Sequence, residues 1–376
     1  MKTILKLCVI LLIALSSTFS LTAQTSLTTK TNISKFQISG FIQPRYNYST
    51  DSTKANTNNF GVRRFEVKIA ADLTEMISTE LTYDFAAMKG GVGGDLRDAF
   101  IKLTLSDWTR IQFGQFKKPI LKEEFLTSSS AIRVIDRGLI AGSLSSNLYS
   151  ERDLGIMLNG DGYEEDIPVE YWFGVFNGNG RNQSTDNNAT KQYSAHIEFS
   201  PLLGVTFGID ASAIGFNNKF DSSGTALIAN KKKPNSEVKY KFAQGVNLEL
   251  AYENFSVISE YYIWDNYIDS KKHTSVTAFS SGQKADGFYI NPVYTQRTES
   301  ELIPKFDIVA KYEQMNPDLG KDKKIKKAIT LGTGIYLNEN GTRLQLNYIN
   351  SSDEDRNVKK QINPVHEIVA QFTVKF

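Results

Sequence analysis

The chain closes on HEIVAQFTVKF, residues 366–376. Ile368, Ala370, Phe372, Val374 and Phe376 share one parity. Glu367, Gln371, Thr373 and Lys375 share the other, with Val369 the one apolar intruder. Successive side chains of an extended strand point to opposite faces, so this pattern is a strand with one apolar and one wet face. The fold turns on what the apolar face meets, a protein core or lipid.

The same period runs the length of the chain. In FQISGFIQPRYNY (36–48), Phe36, Ile38, Ile42, Tyr46 and Tyr48 oppose Gln37, Ser39, Gln43, Arg45 and Asn47. In RRFEVKIAADL (63–73), Phe65, Val67, Ile69, Ala71 and Leu73 alternate with Arg64, Glu66, Lys68 and Asp72. In STELTYDFA (78–86), Leu81, Tyr83 and Phe85 alternate with Glu80, Thr82 and Asp84. Further segments fall near 96–105, 108–117, 152–159, 167–176, 191–199, 204–215, 237–252, 255–264, 286–294, 304–313, 327–337 and 342–350. With 366–376 this makes about sixteen strands, most close to the nine to eleven residues that a tilted strand needs to cross a bilayer.

Strand parity alone fits a soluble sandwich as well as a membrane barrel, since both alternate. The connections discriminate. Long polar ones lie near 49–59, 117–151, 177–190, 216–236, 265–285, 314–326 and 350–365. Short turns lie between them, near 74–77, 106–107, 160–166, 200–203, 253–254 and 338–341. The connection at 88–94 is intermediate, and that near 295–303 is long for its class. Long on one side and short on the other is the layout of an outer-membrane barrel, with extracellular loops and periplasmic turns. Closure also removes the unpaired edges that lipid cannot satisfy. The apolar parity is therefore expected to face lipid, and the polar parity a wet lumen.

The other end agrees. Residues 1–23 begin with Lys2 and Lys6, continue as an apolar run from Leu7 to Leu15, and end on small residues at Leu21-Thr22-Ala23. This reads as a secretory signal peptide cleaved before Gln24, followed by a short periplasmic segment, 24–35, and a barrel over 36–376. Cys8 is the only cysteine and lies inside the apolar run, which leaves no thiol chemistry for the mature chain. The whole chain carries 43 basic and 41 acidic residues, and the first 23 hold two of the basic ones. The balanced remainder offers no basic surplus for nucleic acid. A terminal aromatic, Phe376, with Val374 and Phe372 at alternate positions before it, is similar to the C-terminal signal read by barrel assembly machinery.

One connection departs from the pattern. Residues 117–151 are too long for an idle loop and too apolar for a disordered one, with Ile120, Leu121, Phe125, Ile132, Val134, Ile135 and Ile140 among them. LKEEFL (121–126) is suited to a helical turn or two. Such an insertion is expected to fold into the lumen and narrow it. The alternative is a loop packed at the mouth or against a neighbouring subunit.

Enzyme signatures are missing from the sequence. It holds three histidines, His196, His273 and His366, and neither G-x-S-x-G nor H-E-x-x-H. Glu80 and Asp84 lie about 13 Å apart along a strand, too far for paired glycosidase carboxylates. Nothing calls for a metal or a cofactor.

Several stretches together resemble the phosphate-selective porin O/P family of Gram-negative outer membranes. They are FGQFKKP (113–119), LTSSSAIRVIDRGL (126–139), ERDLGIMLNGD (151–161) and YWFGVFNGNG (171–180), with weaker likeness through NFSVISEYYIWD (254–265) and GFYINPVYT (287–295). The resemblance implies a sixteen-stranded, commonly trimeric barrel that passes small anions such as phosphate, with its third long loop folded inward. Lys117, Arg137 and Arg152 fall on its recurrently basic positions. Candidate anion contacts are then Lys117, Lys118, Lys122, Arg133, Arg137 and Arg152 around the long loop, and Arg45, Arg64, Lys68 and Lys102 on the polar strand parity. Acidic residues share those faces, among them Glu66, Glu80, Asp84, Asp98, Glu123, Glu124 and Asp136. The cations either line a conducting path or pair across strands and stiffen the wall. A general non-selective porin, or a structural or adhesive barrel without an open pore, is the alternative function.

Overall fold

The computed structural model describes residues 35–51, 57–87, 94–146, 149–186, 190–217, 238–265, 284–319, 325–339, 341–355 and 360–376. The expected signal peptide and nearly all of the segment after it lie outside these residues, as do His273 and most of the long connections at 216–236 and 265–285.

Sixteen strands form one closed antiparallel barrel in sequence order. The first eight are β1 (Lys35–Ser49), β2 (Asn58–Asp72), β3 (Ile77–Asp84), β4 (Asp95–Ser106), β5 (Thr109–Lys117), β6 (Arg152–Gly162), β7 (Ile167–Phe176) and β8 (Gln192–Leu202). They continue as β9 (Val205–Asn217), β10 (Val238–Tyr252), β11 (Phe255–Asp265), β12 (Lys284–Arg297), β13 (Lys305–Asn316), β14 (Ile325–Tyr336), β15 (Arg343–Asp355) and β16 (Lys360–Lys375). Among the described residues no helix is long and apolar enough to cross a membrane.

The seam between first and last strands shows why the C-terminal stretch reads as it does. β16 pairs with β15 on one side and with β1 on the other, Ile42 opposite Val374 and Tyr46 opposite Ala370. Phe376 and Gly40 exchange both backbone hydrogen bonds, at 2.9 and 3.1 Å. A Cβ on Gly40 would stand 2.6 Å from the Phe376 ring and 2.4 Å from the Glu66 carbonyl oxygen, so only glycine lets the terminal ring close the barrel there.

The two faces of the sheet invert the usual order of a soluble protein. Large apolar side chains stand outside, with Phe60, Phe113, Ile308 and Leu331 all more than half exposed. Charged and amide side chains are buried inside, including Glu66, Asp307, Lys311, Gln345 and Gln371. An apolar exterior around a polar lumen is the arrangement a bilayer requires, since lipid solvates apolar side chains and no backbone group is left unpaired.

Two details differ from the sequence reading, and the place of Val369 agrees with it. Many strands are longer than a bare crossing, and β1 and β2 have fifteen residues each. At about 3.4 Å per residue they extend past the apolar band. β3 ends at Asp84, and Phe85 begins a single 3₁₀ turn because the Asp84 carboxylate accepts the Ala86 N–H at 3.1 Å, a local bond that competes with the ladder. Val369 is buried on the inner face, so the apolar intruder of the last strand packs inside the barrel.

Candidate functional site

The segment between β5 and β6 carries the candidate site. It contains a single helical turn, α1 (Lys122–Phe125), where LKEEFL suggests one, and a longer helix, α2 (Leu139–Ser146), that the sequence did not signal. Its backbone and side chains bond to inward-facing residues of strands far around the wall, so the segment lies within the lumen.

Along β8 to β15 the loop is seated by both apolar and ionic contacts. Ile120, Leu121, Ile140, Ala141 and Leu144 form one buried cluster with Tyr262, Trp264, Ala285, Tyr289 and Met315 of the wall. Ile132 and Val134 form a second with Val293 and Val309. Each such side chain contributes about 1.5–3 kcal/mol by leaving water. Leu121 takes a left-handed φ of 60°, a strained conformation for leucine that its burial enforces. Gly138 stands where α2 meets the wall, and a Cβ there would fall 1.4 Å from Glu313 Oε1. The Leu139 N–H donates to that same oxygen at 3.0 Å.

The ionic contacts are numerous. Lys122 bridges Glu198 and Glu249, both at 2.8 Å, and these two carboxylates hold its pKa up against burial. Lys311 donates to both oxygens of Glu123 at 2.9 and 3.1 Å and lies 3.4 Å from Glu313. The Glu123 N–H donates to Glu260 at 2.7 Å. Arg133 binds Asp307 at 2.6 Å and Tyr336 at 3.2 Å. Arg343 and Gln345 reach the Ile132 carbonyl at 2.6 and 3.3 Å. His196 is fully buried between Glu198 and Asp210, at 3.2 and 3.3 Å.

Along β1 to β6 the loop stands off the wall and leaves space. A cavity of about 640 Å³ lies at the long-loop end and is lined by six arginines, Arg45, Arg63, Arg64, Arg97, Arg137 and Arg181, with Glu124, Asp136 and Glu151 as its carboxylates. A second, of about 650 Å³, lies at the short-turn end and includes Lys68, Lys102, Lys117 and Arg152. Ser129 of the loop is the one residue that lines both. Arg64 of the wall and Arg137 of the loop both donate to the Ser129 hydroxyl, at 2.8 and 3.2 Å.

The sequence-derived candidates divide accordingly. Arg45, Arg64 and Arg137 meet in the long-loop cavity. Arg45 grips Asp136 through two 2.9 Å bonds. Burial would raise the Asp136 carboxyl, and Arg45 with Arg63 outweighs it, holding that pKa below the usual range. Arg137 binds Glu124 at 2.7 Å. Arg152 binds Asp98 at 2.9 and 3.0 Å, and Lys117 caps the end of α1 through the Glu124 and Thr127 carbonyls at 2.7 and 3.2 Å. Lys68 pairs with Glu80. Lys102 has no hydrogen bond or ion pair among the described residues and lines the short-turn cavity. Lys118, Lys122 and Arg133 line neither cavity. Lys118 is buried against Gln192 at 2.7 Å, and that burial pulls its pKa down to about 8.

Arg63, Arg97 and Arg181 were not among the candidates. Parity sends Arg63 and Arg97 outward with Phe65 and Ala99. Both sit at register shifts, one extra residue in β2 between Phe65 and Val62 and one in β4 between Asp98 and Leu96. A bulge turns the following side chains to the other face, and it delivers both arginines to the lumen. Arg181 belongs to a loop, where no parity applies. It binds Glu151 at 2.7 Å and Asp95 at 3.0 Å.

The carboxylates are held as closely as the cations. Burial raises the Glu124 pKa to about 7, helped by a hydrogen bond to Glu151. Burial would raise Glu151 as well, but the Glu124 proton and Arg152, Arg97 and Arg181 hold it far below the usual range.

Closed barrel, apolar exterior and a loop-narrowed lumen define an outer-membrane porin architecture. The family model described as phosphate-selective porin O and P matches residues 36–376, and the chain belongs to that family. No curated protein sequence matches it. Among solved structures the fold is similar to an anion-selective porin from Comamonas acidovorans, with a TM-score of 0.62 and 10% identity over 91% of this chain and 99% of that one. It is similar to OmpT of Vibrio cholerae in its trimer form, with 0.56 and 11% over 91% and 99%. It is also similar to the outer membrane channel DcaP of Acinetobacter baumannii, with 0.59 and 12% over 90% and 97%. At these identities the likeness is one of fold.

Proposed function

We propose that this outer-membrane porin passes small anions in preference to cations, through the gap between the inserted loop and the wall of β1 to β6. The observation that carries the reading is the long-loop cavity, where six arginines face three carboxylates. A narrow lumen in low-dielectric protein focuses such a field on a passing ion. The Comamonas structure described as anion-selective supports the same direction. Phosphate is one candidate solute, and planar guanidinium groups suit it through paired hydrogen bonds.

The finer points belong to the same proposal. Residues 1–23 direct secretion, and Phe376, Val374 and Phe372 present the assembly signal to the barrel assembly machinery. The protein assembles as a homotrimer in the outer-membrane lipid, as the trimer form of OmpT suggests. A non-selective pore is the second reading, favoured by the close pairing of Arg45, Arg64 and Arg137 with Asp136, Glu66 and Glu124. Purified protein in planar bilayers under a KCl gradient separates the two. The parent should conduct in steps with a reversal potential of anion sign. Arg64→Glu with Arg137→Glu should lower the anion preference severalfold or invert it, and less so in high salt. A parent that conducts without preference establishes the non-selective pore, and one that conducts nothing establishes the structural barrel.

A further inference from the structure

The short-turn cavity has a lining that a pore for inorganic anions does not need. Phe100, Phe116, Met157 and Trp172 project from β4, β5, β6 and β7 onto the wet face, and Phe125 of the loop meets them. Phe125 sets its edge on Trp172 with centroids 5.4 Å apart and planes at 89°, and Phe100 meets Phe116 at 6.0 Å and 78°. Phe116, Met157 and Trp172 are buried by this packing, while Phe100 and Phe125 keep partly exposed rings on the cavity.

The charges around this apolar wall are not balanced. All three carboxylates of the lining are engaged: Glu66 with Arg64, Glu80 with Lys68, and Asp98 with Arg152. Lys102 is not. It stands two residues from Phe100 on the same face of β4, about 7 Å along the strand. The cavity therefore offers two ammonium groups without a hydrogen-bond or ion-pair partner among the described residues, Lys102 and Lys375, of which Lys102 shares a strand face with the partly exposed Phe100 ring. A strongly hydrated inorganic anion gains nothing from those rings and would lose water against them. An anion with a flat apolar body gains from both sides, burying its ring while its charge meets the ammonium.

We propose that this cavity is a subsite for small aromatic carboxylates, with Lys102 as the anion contact and Phe100, Phe125 and Trp172 as the ring platform. The inference rests on the reading of the protein as an anion pore and names a solute class for it, distinct from phosphate.

Two readouts test it, one of them independent of conduction. Tryptophan emission, excited at the red edge in detergent, is titrated with benzoate, acetate and inorganic phosphate. Benzoate should change the emission saturably and the other two should not. Trp172→Phe should abolish the change, and Lys102→Gln should raise the half-saturating concentration at least fivefold. In bilayers, benzoate should reduce the KCl current of the parent, and much less that of Lys102→Gln or Phe125→Leu. Folding of each variant is checked by heat-modifiable migration. Equal responses to acetate and benzoate, or a benzoate response that Lys102→Gln leaves unchanged, overturn the proposal. If the parent binds benzoate yet conducts no KCl, the subsite stands and the pore reading falls.

Discussion

The two sides of the lumen carry the same kinds of residue and use them for opposite ends. Along β8 to β15 the charges are buried, bridged by the loop and surrounded by its apolar side chains. Lys311 is 1% exposed and Asp307 2%. Along β1 to β6 most of the charges are also paired, Lys102 excepted, but they border open space. The difference lies in the loop. Its apolar residues, Ile120, Leu121, Ile140 and Leu144, find an aromatic wall on the first side. Serines 128–130, Glu124 and Arg137 are left facing the second. A charge on a lumen wall thus becomes scaffold or pore lining according to whether apolar surface closes over it.

The comparison breaks most severely if the seat is removed. In Lys311→Met, Glu123 and Glu313 remain buried with their cation gone, beside Glu260. Leaving buried charges unpaired costs about 3–5 kcal/mol. The loop should detach, the unfolding temperature in detergent should fall, and single-channel conductance should rise and become noisy. A quiet channel of parental conductance would mean that the apolar contacts alone hold the loop. Ile140→Ala is the complementary cut. The side chain is 1% exposed, and its truncation should cost about 2–4 kcal/mol with a smaller rise in conductance, since every ion pair remains. A conductance gain larger than that of Lys311→Met would reverse the assignment of the main anchor.

These anchors also mark what the sequence could and could not tell. Strand existence and order were legible because a barrel with one apolar and one wet face writes its parity into every strand, as 366–376 shows. The length and apolar content of residues 117–151 marked that segment as more than a connection. Its seat was not legible, because Lys311 and Glu123 are 188 positions apart and only closure of the barrel brings them together. Arg63 and Arg97 were hidden by bulges that reverse the very parity used to find pore residues. Lys118 and Lys122 were chosen as loop cations, and nothing in their sequence neighbourhood marks the carboxylate or amide across the lumen that engages each.

The open side should respond to pH through Glu124. Glu124 titrates near pH 7 because burial and the Glu151 hydrogen bond favour its protonated form. Raising the pH from 6 to 8 adds a negative charge beside Arg137, so anion preference should fall as pH rises. The change should be on the order of twofold in permeability ratio, which corresponds to about 0.4 kcal/mol. The linkage has the same sign. A carboxyl with a raised pKa in the folded state stabilises it below about pH 4.5, and that contribution is lost as pH rises through about 7. Glu124→Gln should flatten the pH dependence of the reversal potential. A variant that keeps the parental profile would place the titrating group elsewhere.

The smallest effect sharpens the comparison from outside the lumen. Arg297 and Glu339 form a pair at 3.3 Å near the short-turn end, with side chains 71% and 58% exposed. Water screens both groups, and holding two long side chains in one geometry costs entropy, so such pairs contribute between zero and about 1 kcal/mol. No apolar surface covers this pair, and neither residue lines a cavity. Arg297→Ala should therefore leave the unfolding temperature, the conductance and the reversal potential at their parental values. Arg133 and Asp307 also pair, at 2.6 Å, but there the acid is 2% exposed and the loop lies over it. Removing Arg133 should loosen the loop while removing Arg297 does nothing. Equal responses of these two variants would mean that apolar cover does not decide which charges hold the structure.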